Sequence, residues 1–525
     1  MPWEFVDINY NSYLSSECES LKMLMGCLYH QLDTLLPPMK PNGINKMVCM
    51  CEEDSANNTK VGNQDFLRLE FLSACKVLQD AHTAMRLLPM IPPPLFPSLF
   101  QAVIQKGFYS KMKRITITSV IDALVINWPY KTMVVRNLLP PLPALTSKPQ
   151  IMMLNSVCQK LEKFFGILYT IPETFIRSKS IKMVEMRRPL CSLDITGFNY
   201  PISDVQLLES FVKKAYNPNS PPHYERNEII LDTLIDGSAK DQFHALGVVC
   251  ELSGRHGASL IIKFHKVQIL GGPTKYIIPT LKLLAANGTK FLELEMFGAY
   301  DEVLESVLCM SESLSGLSLA YNPGLTSFQL LTQLPHLTQL NLSRVNLRGK
   351  CEPLAGLTQG LQYLNLMGCQ LRSADLQVVT TSKHVLSLSQ LDLSENSFGV
   401  FEDFYSFCKL CQALTRVSVL GAHNCNLNVV TADLVALVHT FVNMSNLTFL
   451  RITRNDFSSW TVKNHLTGLG KSSTLRCLCL SLPSDVLSGD YSVRHKKVDE
   501  LHFNVTSILR AANATHLAIN WDEKY

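Results

Sequence analysis

Six segments of this chain share one pattern: LSGLSLAYNPGL from Leu314, LTQLNL from Leu337, LQYLNLMGCQL from Leu361, LSQLDLSENSF from Leu388, LTFLRITRNDF from Leu447 and LRCLCL from Leu475. In L-x-x-L-x-L a strand alternates, so its leucines enter a shared core while the residues between them face outward. One such unit cannot bury its apolar side alone, whereas stacked neighbours can. The pattern is the leucine-rich repeat, and it predicts an α/β fold. The expected form is a horseshoe solenoid with parallel strands on the concave face and helices on the convex face. A broad concave wall holds other macromolecules far more often than it does chemistry.

Repeat starts are expected at 291, 314, 337, 361, 388, 414, 447 and 475. The longer later gaps leave room for convex helices. LVALVHTF shows one, with Leu434, Leu437, Val438 and Phe441 at i, i+3, i+4 and i+7. Phe401, Phe404 and Cys408 form a similar buried stripe, which makes Cys408-Lys-Leu-Cys411 core packing rather than half of a zinc site. Asn322, Asn396 and Asn455, with Cys369, follow the strand at the turn, where a polar side chain can bond backbone groups left unpaired. LTRVSVLGAHNCNL, read from Leu414, holds about three extra residues before Cys425, which predicts a bulge there. The segment 495–520, with Leu501, Val505 and Ile508 in helical spacing, is expected to close the solenoid as a helix and strand.

Upstream, residues 1–64 read as an extension with a short helix and much loop, and residues 65–185 as α-helical. The solenoid is expected over 186–525. It would open at LCSLDITGF from Leu190 and continue through SLIIKFHKV and FLELEMF. Two upstream motifs stand out. Leu69, Ser73 and Val77 are spaced by four, one face of a helix. IPPPLFPSLF from Ile91 to Phe100 sets large apolar pairs beside prolines that fix the chain's entry. It reads equally as a rigid docking knob and as a buried domain junction. LDTLL from Leu32 fits a helical groove-docking pattern common in leucine-rich helices.

No phosphate loop, H-E-x-x-H helix, G-x-S-x-G elbow or paired-cysteine zinc framework occurs, so neither catalysis nor a cofactor or metal is expected. The histidines are dispersed and read as polar loop or surface residues. A net charge of +4 without a basic run gives no reason to expect direct nucleic-acid binding. The opening MPWEFVDINY lacks the basic region of a secretory signal, and no apolar stretch is long enough to span a bilayer. Scattered cysteines then suggest reduced thiols, in cytoplasm or nucleus. Client contact is expected at the outward strand positions Gln339, Asn341, Tyr363, Asn365, Gln390, Asp392, Phe449 and Arg451. These mix amide, aromatic and charge. Their alternative reading is solvated strand decoration.

Several segments in order resemble the PRAME (preferentially expressed antigen in melanoma) family of leucine-rich-repeat proteins, from about residue 65 to the end. IPPPLFPSLFQAV and INWPY from Ile126 are similar to its proline-led and A-W-P-F signatures. LCSLDITGF is similar to its first strand, and NEIILDTLIDGSAKDQF from Asn227 to a later stretch. The resemblance implies a substrate-recognition adaptor of a cullin-2 RING ubiquitin ligase, leading to ubiquitin-dependent degradation of a client. By that resemblance Leu69, Ser73 and Val77 would contact elongin B/C, and Ile91, Pro92, Leu95 and Phe96 would contact cullin-2. Ser73 stands where the family carries cysteine or alanine, and Pro93-Pro94 where it carries a polar-acidic pair. The alternative is a stand-alone binding solenoid that regulates transcription or restrains apoptosis.

Overall fold

The computed structural model describes residues 227–522 with short gaps, chiefly at 296–300 and 429–433. It also describes 205–216, 192–196, 132–134, Phe96 and Leu99. Among the described residues thirteen strands form one sheet in strict chain order, β1 to β13, and each pairs parallel with the next. They are β1 Thr132–Val134, β2 Ser192–Ile195, β3 Asn227–Asp236, β4 Leu260–Leu270, β5 Phe291–Glu295, β6 Gly316–Ser318, β7 Gln339–Asn341, β8 Tyr363–Asn365, β9 Gln390–Asp392, β10 Val419–Gly421, β11 Phe449–Arg451, β12 Cys477–Ser481 and β13 Ala518–Asp522. Helices and short helical turns cross between strands, as parallel pairing requires. The fold is the leucine-rich-repeat solenoid.

The leucines set the register. Leu292, Leu317, Leu340, Leu364, Leu391, Leu420, Leu450 and Leu478 stand opposite one another in successive strands and are all buried. At the far margin of the strands an amide row completes the turn. Asn396 donates through Nδ2 to the carbonyls of Leu366 and Leu393, both at 2.8 Å, and accepts from the Leu371 amide at 3.0 Å. Asn322 and Asn455 donate to the equivalent carbonyls through Nδ2. Cys369 and Cys425 reach the equivalent carbonyls through sulfur, at 3.0 and 3.3 Å. The residue before each has a left-handed backbone, namely Tyr321, Gly368, Glu395, Asn424 and Arg454, and so does Arg344 before Val345 at the same place in its repeat. Glycine takes this without strain and asparagine readily; the others cost roughly 1–2 kcal/mol each. Arg344 passes over Gly368 to pair with Glu395 of the next repeat but one.

Asn396→Ala should therefore destabilise the solenoid by about 2 kcal/mol, because buried carbonyls and an amide lose their partner. Asn396→Cys should cost clearly less, since thiols already serve at the two flanking positions of this kind. Denaturant melts of both variants test the ranking; equal losses would mean that the row fills space rather than bonds.

Three expectations need correction. β10 pairs with β9 without offset, Val419 to Gln390 and Leu420 to Leu391, so no bulge exists. The repeat starts at Val417 rather than Leu414, and Ala422 fills the position of a leucine that would have marked it. β1 lies within the segment expected to be all helical and adds a strand ahead of β2. Past Pro129, the run Thr132-Met133-Val134 suits a pleated surface better than a helix. Finally, His384, His423 and His465 are buried rather than on the surface. His384 bridges repeats, its Nδ1 accepting from the Leu361 amide at 3.1 Å and its Nε2 lying 2.7 Å from the Leu354 carbonyl oxygen.

Cys408 and Cys411 are both buried and form no disulfide, in keeping with a packing role. Phe401 was expected to be buried in the stripe with Phe404 and Cys408; it faces out instead. The helix Tyr491–Ala511 and β13 close the end as expected, with Leu501 and Val505 buried.

The concave face as a candidate binding surface

Register converts the outward strand positions into two columns along the arc. One runs Phe291, Gly316, Gln339, Tyr363, Gln390, Val419, Phe449, Cys477; the other runs Glu293, Ser318, Asn341, Asn365, Asp392, Gly421, Arg451, Cys479. The eight expected client-contact positions all fall in these columns. They are brought together in β7, β8, β9 and β11, with β10 inserted between the last two.

The second column is committed to the fold at several points. Asn341, Asn365 and Asp392 each accept the amide of the residue two further on, at 3.0, 2.9 and 2.9 Å. The bond closes the strand end as an Asx turn does. Asp194 does the same for Thr196. Asp392 leans over Gly421, where any Cβ would collide with its carboxylate, and the Phe291 ring lies over Gly316 in the same way. Asp392 is only 4% exposed and Tyr363 only 5%, so neither offers a partner more than an edge. Gln339, Asn341, Asn365, Gln390, Phe449 and Arg451 remain half-exposed.

Charge divides along the arc. Toward β4 and β5, Lys266 pairs with buried Glu293 at 2.7 Å. Burial raises the Glu293 carboxyl above its usual range, and the lysine opposes the rise. Burial also pushes the Tyr363 hydroxyl well up, with Asp392 adding to the effect. Toward β11 the wall turns basic with Arg451 and Arg454. His423, beneath them and bonded to Thr453, is pushed down to about 3, by burial first and then by the two guanidiniums. The imidazole is thus neutral at physiological pH, and the positive charge at this end belongs to the arginines. Val419, Arg454 and the Lys266–Glu293 pair were missed in the sequence. Extending the two columns strand by strand would have found all but Arg454, which lies past the strand end.

Leu69, Ser73, Val77, Ile91, Pro92 and Leu95 lie outside the described residues, as does LDTLL. Phe96 is described: it is helical and buried within the chain's own core, together with Leu99. Among the described residues no group of His, Cys, Asp or Glu is placed to hold a metal ion. No helix among them is long and apolar enough to cross a membrane.

No family model matches the chain. Over 498 residues it is 24% identical to leucine-rich repeat-containing protein 14 of Xenopus laevis, covering 83% of this chain and 90% of that protein. Among solved structures it is similar to the yeast Rad7 and Elc1 complex, at 12% identity and a TM-score of 0.35. That match covers 66% of this chain and 94% of the other. A superposition so loose says nothing about shared partners. The homologue's name agrees with the fold: the chain is a leucine-rich-repeat solenoid.

Proposed function

We propose that this chain is a substrate-recognition adaptor of a cullin-2 RING ubiquitin ligase, working in cytoplasm or nucleus. The concave wall grips the client, and the segment around Leu69 to Phe96 attaches elongin B/C and cullin-2. One observation supports client binding above others. The first outward column sets amide, aromatic and apolar side chains side by side through β7 to β11, flanked by two arginines. Half-exposed Gln339, Gln390, Val419 and Phe449 can gain contacts there, and Arg451 can pair with a client carboxylate. The ligase half rests on the PRAME-like motifs and their order.

Burial of Phe96 favours a second reading for that half. A side chain already in its own core is not free for cullin, and a solenoid without ligase coupling remains. An affinity pull-down separates the two. Wild type should recover elongin B/C and cullin-2, and Leu69→Asp with Leu95→Asp should lose both while retaining client. Phe449→Ala with Arg451→Glu should do the reverse. If wild type brings down neither elongin nor cullin, the adaptor reading fails and the stand-alone solenoid replaces it.

A further inference from the structure

The two outward columns of the concave wall continue past β12 into β13. Register sets Ala518 beside Cys477 and Asn520 beside Cys479, and Cys479 in turn beside Arg451. The side chains change height at β11. Phe449 and Arg451 are large and half-exposed, whereas Cys477, Cys479, Ala518 and Asn520 are small, so a ridge on β11 borders a lower lane over β12 and β13. A row of small residues alone is ordinary packing. Two polar groups here lack partners.

The first is Arg451. Its guanidinium has no ion pair among the described residues, although cations elsewhere on the wall have one: Lys263 with Glu228, Lys266 with Glu293 and Arg344 with Glu395. Neither column carries an acid from β10 onward. The nearest one within them, Asp392 on β9, is buried and spends its carboxylate on the Ser394 amide. The second group is Asn520, only 5% exposed. Its Nδ2 lies 3.5 Å from Cys477 Sγ and 3.9 Å from Cys479 Sγ, so the side chain leans across the lane toward β12. Its Oδ1 is buried and has no hydrogen-bond partner. An amide oxygen kept from water and left unbonded is costly, and a donor brought by a ligand relieves the cost.

We infer that this end of the wall reads a single acidic residue of the client, carried in an extended segment with an apolar residue two positions away. The inference rests on the concave face being the client surface. Arg451 calls for an anion and Asn520 for an N–H. An acidic residue in an extended chain presents both, its side-chain carboxylate and its own backbone amide. Arg451 and Asn520 stand two strands apart with Cys479 between them, about 10 Å from backbone to backbone. A residue seated over Cys479 therefore lies between the two groups. The apolar neighbour follows from spacing. Phe449 and Arg451 are successive outward positions on one strand, roughly 6.6 Å apart, and a client strand laid along the lane repeats its side chains at the same interval. One side chain then covers Phe449 while the other meets Arg451 in a charge-assisted bond.

Short random peptides, displayed between neutral constant flanks so that no chain terminus takes part, are selected on the full chain. Those enriched should share an Asp or Glu with an apolar residue two positions away. Replacing that acid by its amide should weaken binding at least about tenfold, the scale of a hydrogen bond to a charged group. Selection on Arg451→Glu should lose the acid and enrich Lys or Arg in its place. Asn520→Leu removes an unbonded buried oxygen, so it should melt no lower than wild type and bind the same peptides about five- to tenfold more weakly. Peptides that depend on Phe449 but share no acid overturn the inference and leave the concave face as the client surface. An acid preference unchanged in Arg451→Glu, or full affinity in Asn520→Leu, overturns it equally. Peptides indifferent to both Phe449→Ala and Arg451→Glu count against the client surface itself. A library from which nothing is enriched overturns the inference alone, and the pull-down then judges the concave face separately.

Discussion

Phe407→Ala should lower the stability of the solenoid by about 3–5 kcal/mol, the usual range for removing a buried ring and leaving a cavity. Phe407 is fully buried in the helix Phe401–Ala413. Its ring stacks on Phe398 at 5.2 Å between centroids and meets Phe441 edge-on at 6.3 Å. Phe398 belongs to the turn after β9 and Phe441 to the next repeat's helix. One side chain therefore fastens three elements across a repeat boundary. In a solenoid each repeat is supported only by its neighbours, so weakening one boundary affects cooperativity as well as total stability. The denaturation curve of the variant, followed by circular dichroism, should shift to lower denaturant and broaden or split. A loss under about 1 kcal/mol would show that the site collapses around the missing ring, against its dense aromatic packing.

How much of this was legible in the sequence depended on which residues carried the signal. Where leucine occupied every inward position, as at Leu361, Leu364 and Leu366, alternation fixed strand, face and register together. β10 is hidden in the sequence because Val417 and Ala422 stand where leucines would, while Leu414 just upstream mimics a repeat start. The missing methylene groups hid the phase, although the backbone pairing is unbroken. The buried histidines escaped for another reason. Nothing local distinguishes His384 from a surface histidine until the Leu354 carbonyl and the Leu361 amide of another repeat come within bonding distance.

The candidate site divided along the same line. Which residues point to the concave side follows from period two. Which remain accessible does not, because glycines on adjacent strands let Phe291 and Asp392 fold across the wall. On the convex side, a stripe of period 3.6 tells which flank of a helix meets the core. It does not tell whether the next repeat covers the first turn, and Phe401 is the residue that shows the difference.

Lowering the pH should unfasten the C-terminal repeats, with His465 as one identifiable cause. His465 lies buried in the helix Ser459–Leu469 with its ring edge-on to Phe457 at 4.8 Å, and neither ring nitrogen has a hydrogen-bond partner. Burial pushes its pKa down to about 4. An unfolded histidine titrates near 6.5. Above that value neither state binds the proton and the histidine is neutral to stability. As pH falls from about 6.5 to about 4, the unfolded chain takes up a proton that the folded chain refuses, so stability declines across that window. The total loss from this group is on the order of 3 kcal/mol, and it levels off below the folded pKa. His423 and His384 are shifted in the same direction, so wild type should lose more than one histidine's worth. His465→Leu keeps a similar volume and removes the titration. Urea melts at intervals from pH 7.5 to 4.5 should show the variant declining less steeply than wild type, and gaining on it toward the acid end. Parallel curves for the two proteins would mean that the ring finds water or a bonding partner as it protonates, and that its burial is not maintained in solution.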